Sequence, residues 1–270
     1  MATNVLELRR FDRTRFRLKD APRLPLRSRA DLAPAAMELA REASDLGLRM
    51  LVWHDLASLA PMTCAEGQNL NATAFGWSHA ELAAWENRDR ALRSPLLRAA
   101  RVAAEPVLVS PRGIHSPTAN RLLDEIDLTD FHHCPLARAA IVVPVHMPLG
   151  QVGAAILIGM GCDAEDLAWA LDPCSGDFGD RIVRFVTAYA TLCRDGRYLP
   201  EQGLLTGREI ECLNWVAHGK TDYEISIILG CSHAGVRYHI TRACAKLGAV
   251  NRAQSVFRAA QLGYLGTPAC

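Results

Sequence analysis

Between Ser232 and Gly248 the chain carries Arg237, Tyr238, His239, Thr241, Arg242 and Lys246 with no acidic residue among them. At 100° per residue, Val236, Ile240, Ala243 and Leu247 fall within one narrow arc and must face a core. Tyr238, Thr241, Arg242 and Ala245 point the opposite way, with Arg237, His239 and Lys246 on the flanks. That outward face bears hydrogen-bonding and cationic groups interrupted by small side chains. Such a ridge suits close approach to a phosphate-lined major groove, where a guanidinium fork from Arg237 or Arg242 can meet guanine O6 and N7.

End signals place this helix third among four. Thr206 with Glu209 forms a capping box and Gly219 follows the last periodic residue; Thr221 with Glu224 forms another, closed by Gly230. Ser232 caps the third helix, which ends at Gly248, and Asn251 with Gln254 opens a fourth that ends at Gly263. The short turn around Gly230 to Ser232 has the spacing of a helix-turn-helix. Lys220, Thr221, Ser232, Lys246 and Arg252 lie near helix ends, where backbone amides and side chains favour phosphate. A plain helical bundle with a solvent-facing third helix also satisfies the pattern, and in it His239 is an ordinary half-buried histidine. Residues 201–270 hold seven Lys or Arg against five Asp or Glu, too small an excess to decide between the two.

The segment from Leu205 to Val256 resembles the DNA-binding domain of LuxR-type transcription regulators. The pattern L-T-x-R-E-x-E-x-L stands at Leu205 to Leu213, and G-x-[ST]-x-x-E-I at Gly219 to Ile225. The remainder stands as Val236, Arg237, His239, Lys246, Leu247, Gly248, Asn251 and Arg252, while Glu209, Leu213 and Gly219 fill hallmark positions. The resemblance implies that the third helix reads double-stranded DNA, with Arg237, Tyr238 and Thr241 nearest the bases, and that the fourth helps pair two subunits. Gly235 departs from the usual Thr, which is expected to loosen the first turn of the reading helix, and Tyr238 is bulky for a base-facing position.

The rest of the chain must position this ridge. Of its 270 residues, 50% are hydrophobic and 22% charged, ordinary for a globular protein and contrary to extended disorder. No apolar run reaches the length of a membrane span, and the amino terminus lacks a signal-peptide core, so a cytoplasmic protein is expected. Nine cysteines without a C-x-x-C pair read as reduced core thiols. Gly196, Pro200 and Gly203 mark a linker at 196–204. The expected organisation is a basic arm at 1–29, an α/β/α sandwich sensory domain at 30–195, and the four-helix helix-turn-helix domain at 205–270. Helices are expected at 34–46, 78–92 and 178–194, and mostly antiparallel strands at 49–54, 106–110, 140–145 and 152–158.

For the sensory domain, a phosphoacceptor receiver lacks its early acidic pair, and no Lys stands between Lys19 and Lys220. Residues 30–195 instead resemble, in order more than in identity, the acyl-homoserine-lactone-binding domain of quorum-sensing receptors. AAIVVPVHMPLGQVGAAILIG matches its late hairpin, and FGWSHAELAAWENRDRALRSPLL matches its pocket helix. The resemblance puts Trp77, Glu81, Trp85 and Ser94 in the ligand site. It also sets Glu81 where a lactone-binding Trp belongs, Ser94 where an amide-accepting Asp belongs, and Ala140 at a usual Gly. Two unpaired polar groups at about 1–3 kcal/mol each weaken binding by roughly 10²- to 10⁴-fold. Ordinary acyl-homoserine lactones are therefore expected not to bind in the family's manner. Either another small molecule binds, with donors facing Glu81, or Trp77 and Trp85 are core aromatics of a domain that only dimerises.

Other chemistry is not supported. His132-His133-Cys134 and the pair Cys162 and Cys174 lack further ligands at fixed spacing, so no metal is expected. No nucleophile triad, phosphate loop or carboxylate pair stands out, so neither an enzyme nor a cofactor is expected. The expected function is sequence-specific DNA binding by a homodimer. The alternative is a protein-interaction regulator that sequesters another LuxR-type protein, with DNA contacts secondary.

Overall fold

The computed structural model describes residues 26–133, 139–159, 167–194 and 204–266. The amino-terminal part opens with α1 (Leu32–Asp45) and β1 (Leu48–Trp53), joined through Gly47. It continues with α2 (Leu70–Thr73), α3 (His79–Glu86), α4 (Arg88–Arg93) and α5 (Pro95–Val102). β2 (Val107–Ser110), β3 (Gly113–His115) and α6 (Arg121–Asp124) follow, then β4 (Ala140–His146), β5 (Val152–Gly159), α7 (Leu171–Ser175) and α8 (Asp177–Leu192).

The five strands form one antiparallel sheet in the order β1-β5-β4-β2-β3. β4 and the middle of β5 are buried on both faces, which explains why they carry no charged side chain. In β1, Arg49 and Trp53 meet α3 through Glu81 and Trp85. Their alternates Leu48, Met50 and Val52 share the opposite face with the β5 position of Gly153, whose missing Cβ lies 2.9 Å from Val186 of α8. That Cβ would also stand 2.6 Å from the Trp53 carbonyl, so only glycine lets β1 and β5 close here. Helices thus cover both faces, as the α/β/α sandwich requires.

The free edge of β1 is occupied by side chains. Asn71 Oδ1 accepts from the Val52 N–H at 3.0 Å and its Nδ2 donates to the Val52 carbonyl at 2.9 Å. Trp77 Nε1 donates to the Met50 carbonyl at 2.6 Å. These bonds replace a missing neighbour strand and close an edge that would otherwise pair with another chain.

The sequence expectations needed local correction. The helix expected over 78–92 is two helices, because Asn87 turns extended and its side chain accepts from Arg90 N, starting α4 afresh. α5 and the short strand β3 were not foreseen. Residues 196–203 of the expected linker, most of the basic arm, Cys134 and Cys162 lie outside the described residues. Six cysteines are described as free thiols, three of them buried.

The carboxy-terminal helices are α9 (Gly207–Ala217), α10 (Asp222–Leu229), α11 (His233–Leu247) and α12 (Arg252–Gln261). Each has the N-cap read from the sequence: Thr206, Thr221, Ser232 and Asn251 accept from Glu209, Glu224, Gly235 and Gln254 backbone N–H groups. Gly230 and Gly248 close α10 and α11 in the left-handed region, both with φ of 61°. α11 buries Val236 and Ile240 against Cys212 and Ile225, and Ala243 and Leu247 against Leu205, Leu213 and Ala259.

Candidate functional site

α11 is held rigidly from three sides. Lys246 Nζ sits 2.8 Å from Glu209 Oε2 of α9 and 3.1 Å from the Leu204 carbonyl. Burial pushes the Glu209 carboxyl up, but bonds from Lys246 and Thr206 outweigh it and hold the group below its usual range. Arg258 of α12 donates to the Leu247 and Gly248 carbonyls, both at 2.6 Å, satisfying the carboxy-terminal end of α11. The Ser232 cap keeps the first turn closed at Gly235, so the looser start expected there is not seen.

With α11 fixed, its outer face is open. Arg237, Tyr238, Thr241 and Arg242 are exposed, Tyr238 to 60%, and no part of the amino-terminal domain covers them. The ring of half-buried His239 stands edge-on to Tyr238, with centroids 5.6 Å apart, limiting where the phenol can swing.

The cations of this domain sort by partner. Arg208 pairs with Glu211 at 2.8 Å and Lys220 approaches Glu224 at 3.6 Å. Arg252 binds Asp222 at 3.2 Å and the Lys220 carbonyl at 3.1 Å. Lys246 and Arg258 are engaged as above. Among the described residues of this domain, Arg237 and Arg242 are the basic side chains left without a hydrogen bond or ion pair, and both stand on the open face of α11. The weak net excess of the sequence therefore resolves into internal pairs plus two free guanidiniums. The expected phosphate contact of Lys246 is corrected: its ammonium is largely buried and closes an ion pair within the fold. Arg252 is likewise tied to α10. Thr221 and Ser232 are occupied as caps, with the Thr221 hydroxyl also donating to Glu224 at 2.8 Å.

The four residues expected at an interior ligand divide in two. Trp77 is buried, but its indole N–H is committed to the β1 edge. Glu81 does not present a carboxylate to the interior. Arg49 holds Oε1 at 3.0 Å, while Ser78 N and Oγ donate to Oε2 at 2.8 and 2.7 Å. These bonds, Arg49 first, pull the carboxyl down to about 2. The expectation that Glu81 faces a ligand donor is thereby corrected, because its acceptors are used to cap α3 and pin β1. Arg49 also lies over the Trp77 ring, 4.0 Å from its centroid. Its signal in the sequence was a lone cation in an otherwise apolar strand, without any indication of its partner. Trp85 and Ser94 are the other pair: both are buried, and Trp85 Nε1 and Ser94 Oγ have no hydrogen-bond partner.

Residues 203–259 match the family model described as bacterial regulatory proteins, luxR family. The chain is 44% identical over 64 residues to the transcriptional activator VanR of Vibrio anguillarum, covering 24% of this chain and 27% of VanR. It is 32% identical over 128 residues to the transcriptional activator AhyR of Aeromonas hydrophila, covering 47% of this chain and 48% of AhyR. The matched stretch thus spans about a quarter to a half of these relatives' length. Among solved structures, Escherichia coli SdiA aligns over 88% of this chain and 92% of its own, at 17% identity and a TM-score of 0.44. The helices that present the free arginines, residues 203–259, are therefore a LuxR-type helix-turn-helix domain and belong to the luxR family of bacterial regulatory proteins.

Proposed function

We propose that the whole chain is a sequence-specific, DNA-binding transcription regulator of the cytoplasm, with no catalytic role, acting as a homodimer. The observation that carries this reading is the pair of unpartnered guanidiniums, Arg237 and Arg242, on the exposed face of a helix whose other sides are fixed. Tyr238 and Thr241 lie between them, placed to contact base edges, while Lys220, Thr221 and Ser232 lie at helix ends within reach of the backbone. Arg252 and Lys246 set the helices in place, and His239 steadies Tyr238.

Dimerisation is assigned to α12. Val250, Ala253, Phe257 and Ala260 make one exposed stripe without charge, with Val250 86% and Phe257 62% exposed. A stripe of this kind on a monomer is a pairing surface. The domains divide at 196–204, and the amino-terminal domain takes a small molecule that biases this pairing. Ordinary acyl-homoserine lactones are poor candidates, because Glu81 is occupied by Arg49 and Ser78 and position 94 is a serine rather than a carboxylate. No helix among the described residues is long and apolar enough to cross a membrane.

Gel-shift selection with the full chain on random duplex tests the proposal. Wild type should enrich one roughly palindromic site, and Arg237→Ala should lose that enrichment. An Arg237→Ala protein that loses site selection yet regulates as wild type does would favour partner sequestration instead.

A further inference from the structure

We infer that the tip of the β4–β5 hairpin latches onto α12 of its own chain and competes there with a second copy, so that pairing through α12 requires the latch to open. This rests on the assignment of α12 as the pairing helix and names what regulates that face. Gln261 Nε2 of α12 donates to the Leu149 carbonyl at 3.1 Å, and the turn Pro148–Gly150 packs against the helix. Leu149 sits at φ 68° and ψ 24°, followed by Gly150 at φ 70°. Glycine takes that backbone freely, whereas a leucine there is strained and persists only where its surroundings hold it. Leu149 is half-buried although it stands at a hairpin tip, and its carbonyl is the one that meets Gln261.

Helix geometry makes the two contacts exclusive. Gln261 follows Phe257 by four residues and so shares its outward face, about 6 Å further along α12. A helix with its side chains is about 10–12 Å across. A second α12 laid over Phe257 therefore extends about 5–6 Å to either side and arrives where the turn sits. The stripe is open at Val250, Ala253 and Phe257 and held by the amino-terminal domain at its far end. The turn is tied in its own domain to β1 and α8. Gln151, at its foot, donates to the His54 carbonyl just past β1 at 3.1 Å and accepts from Arg194, just past α8, at 2.7 Å. A displacement of either element thus reaches the latch, which couples the amino-terminal fold to pairing of the other domain.

Sedimentation velocity of the full chain across a concentration series tests the latch. Gln261→Ala removes the donor without adding charge. Leu149→Gly acts from outside α12, taking away the half-buried side chain while suiting the left-handed turn. Losing one such contact shifts the latch by about 2- to 12-fold, and both protomers must open, so each variant should tighten the dimer by about 5- to 150-fold. Adding Phe257→Glu to either variant should abolish the gain. Unchanged or weaker pairing in both variants overturns the latch and leaves α12 as the pairing helix. Tightening by one variant and not the other also overturns it, since an effect of Gln261→Ala alone belongs to the pairing face and one of Leu149→Gly alone to the turn. Wild type and variants that all stay monomeric, or that pair equally well with Phe257→Glu, overturn the assignment of α12 together with the latch.

Discussion

Two cations four residues apart on α11 should respond to mutation in opposite ways. Lys246 is paired with Glu209, which is only 4% exposed, whereas Arg242 has no partner. Lys246→Met strands a buried carboxylate. Removing one partner of such a pair costs about 3–5 kcal/mol. Glu209 keeps its 2.7 Å bond from Thr206 N, which offsets part of that cost and leaves about 2–3 kcal/mol. Amide hydrogen exchange in peptides from α9 and α11 should then quicken roughly 30- to 150-fold, at about 1.4 kcal/mol per decade. Adding Glu209→Gln removes the stranded charge and keeps a residue able to complete the capping box, so the double variant should recover most of the protection. Arg242→Ala should leave exchange within about twofold of wild type and weaken duplex binding, since surface changes without partners stay within about 0.5 kcal/mol. If Lys246→Met kept its protection and weakened DNA binding as much as Arg242→Ala, the division of cations into structural and DNA-facing would be refuted.

The edge of β1 gives a second expectation: Asn71→Leu leaves the buried Val52 N–H and carbonyl unpaired, and chemical denaturation should show a loss of about 1–3 kcal/mol or more. Phe257→Glu puts a charge in the apolar stripe of α12, so analytical ultracentrifugation should show dimers giving way to monomers, whereas an unchanged sedimentation coefficient would rule α12 out as the pairing surface. Glu81, held down to about 2 by Arg49 and Ser78, stabilises the amino-terminal domain fully above its ordinary value near 4.5 and loses that contribution as pH falls toward 2. Arg49→Met should therefore bring acid unfolding of this domain to higher pH, read by tryptophan fluorescence.

What the sequence disclosed, and what it withheld, follows the range of the interactions. Caps act within three residues, so Thr206, Thr221, Ser232 and Asn251 could be placed without coordinates. The inward arc of Val236, Ile240, Ala243 and Leu247 follows from helical period alone. Asn87 was harder, because an Asn inside a helical pattern has no distinct periodicity until its backbone turns extended. β3 is three residues long and exists only through its pairing with β2. The partners of charges were beyond reach: Lys246 and Glu209 lie 37 residues apart, and Arg49 and Glu81 lie 32 apart. That distance in sequence is why Lys246 read as a phosphate contact and Glu81 as a ligand group.

The most direct test of the central claim is fluorescence anisotropy of the full chain on a labelled duplex, titrated with salt. Two free guanidiniums per protomer, four in a dimer, predict retention at about 50 mM salt and a log–log slope approaching −3.6, or a loss of roughly 10²-fold by about 200 mM. Absence of retention at the lower salt, or binding whose affinity is flat across the titration, would contradict the assignment of α11 as a DNA-reading helix.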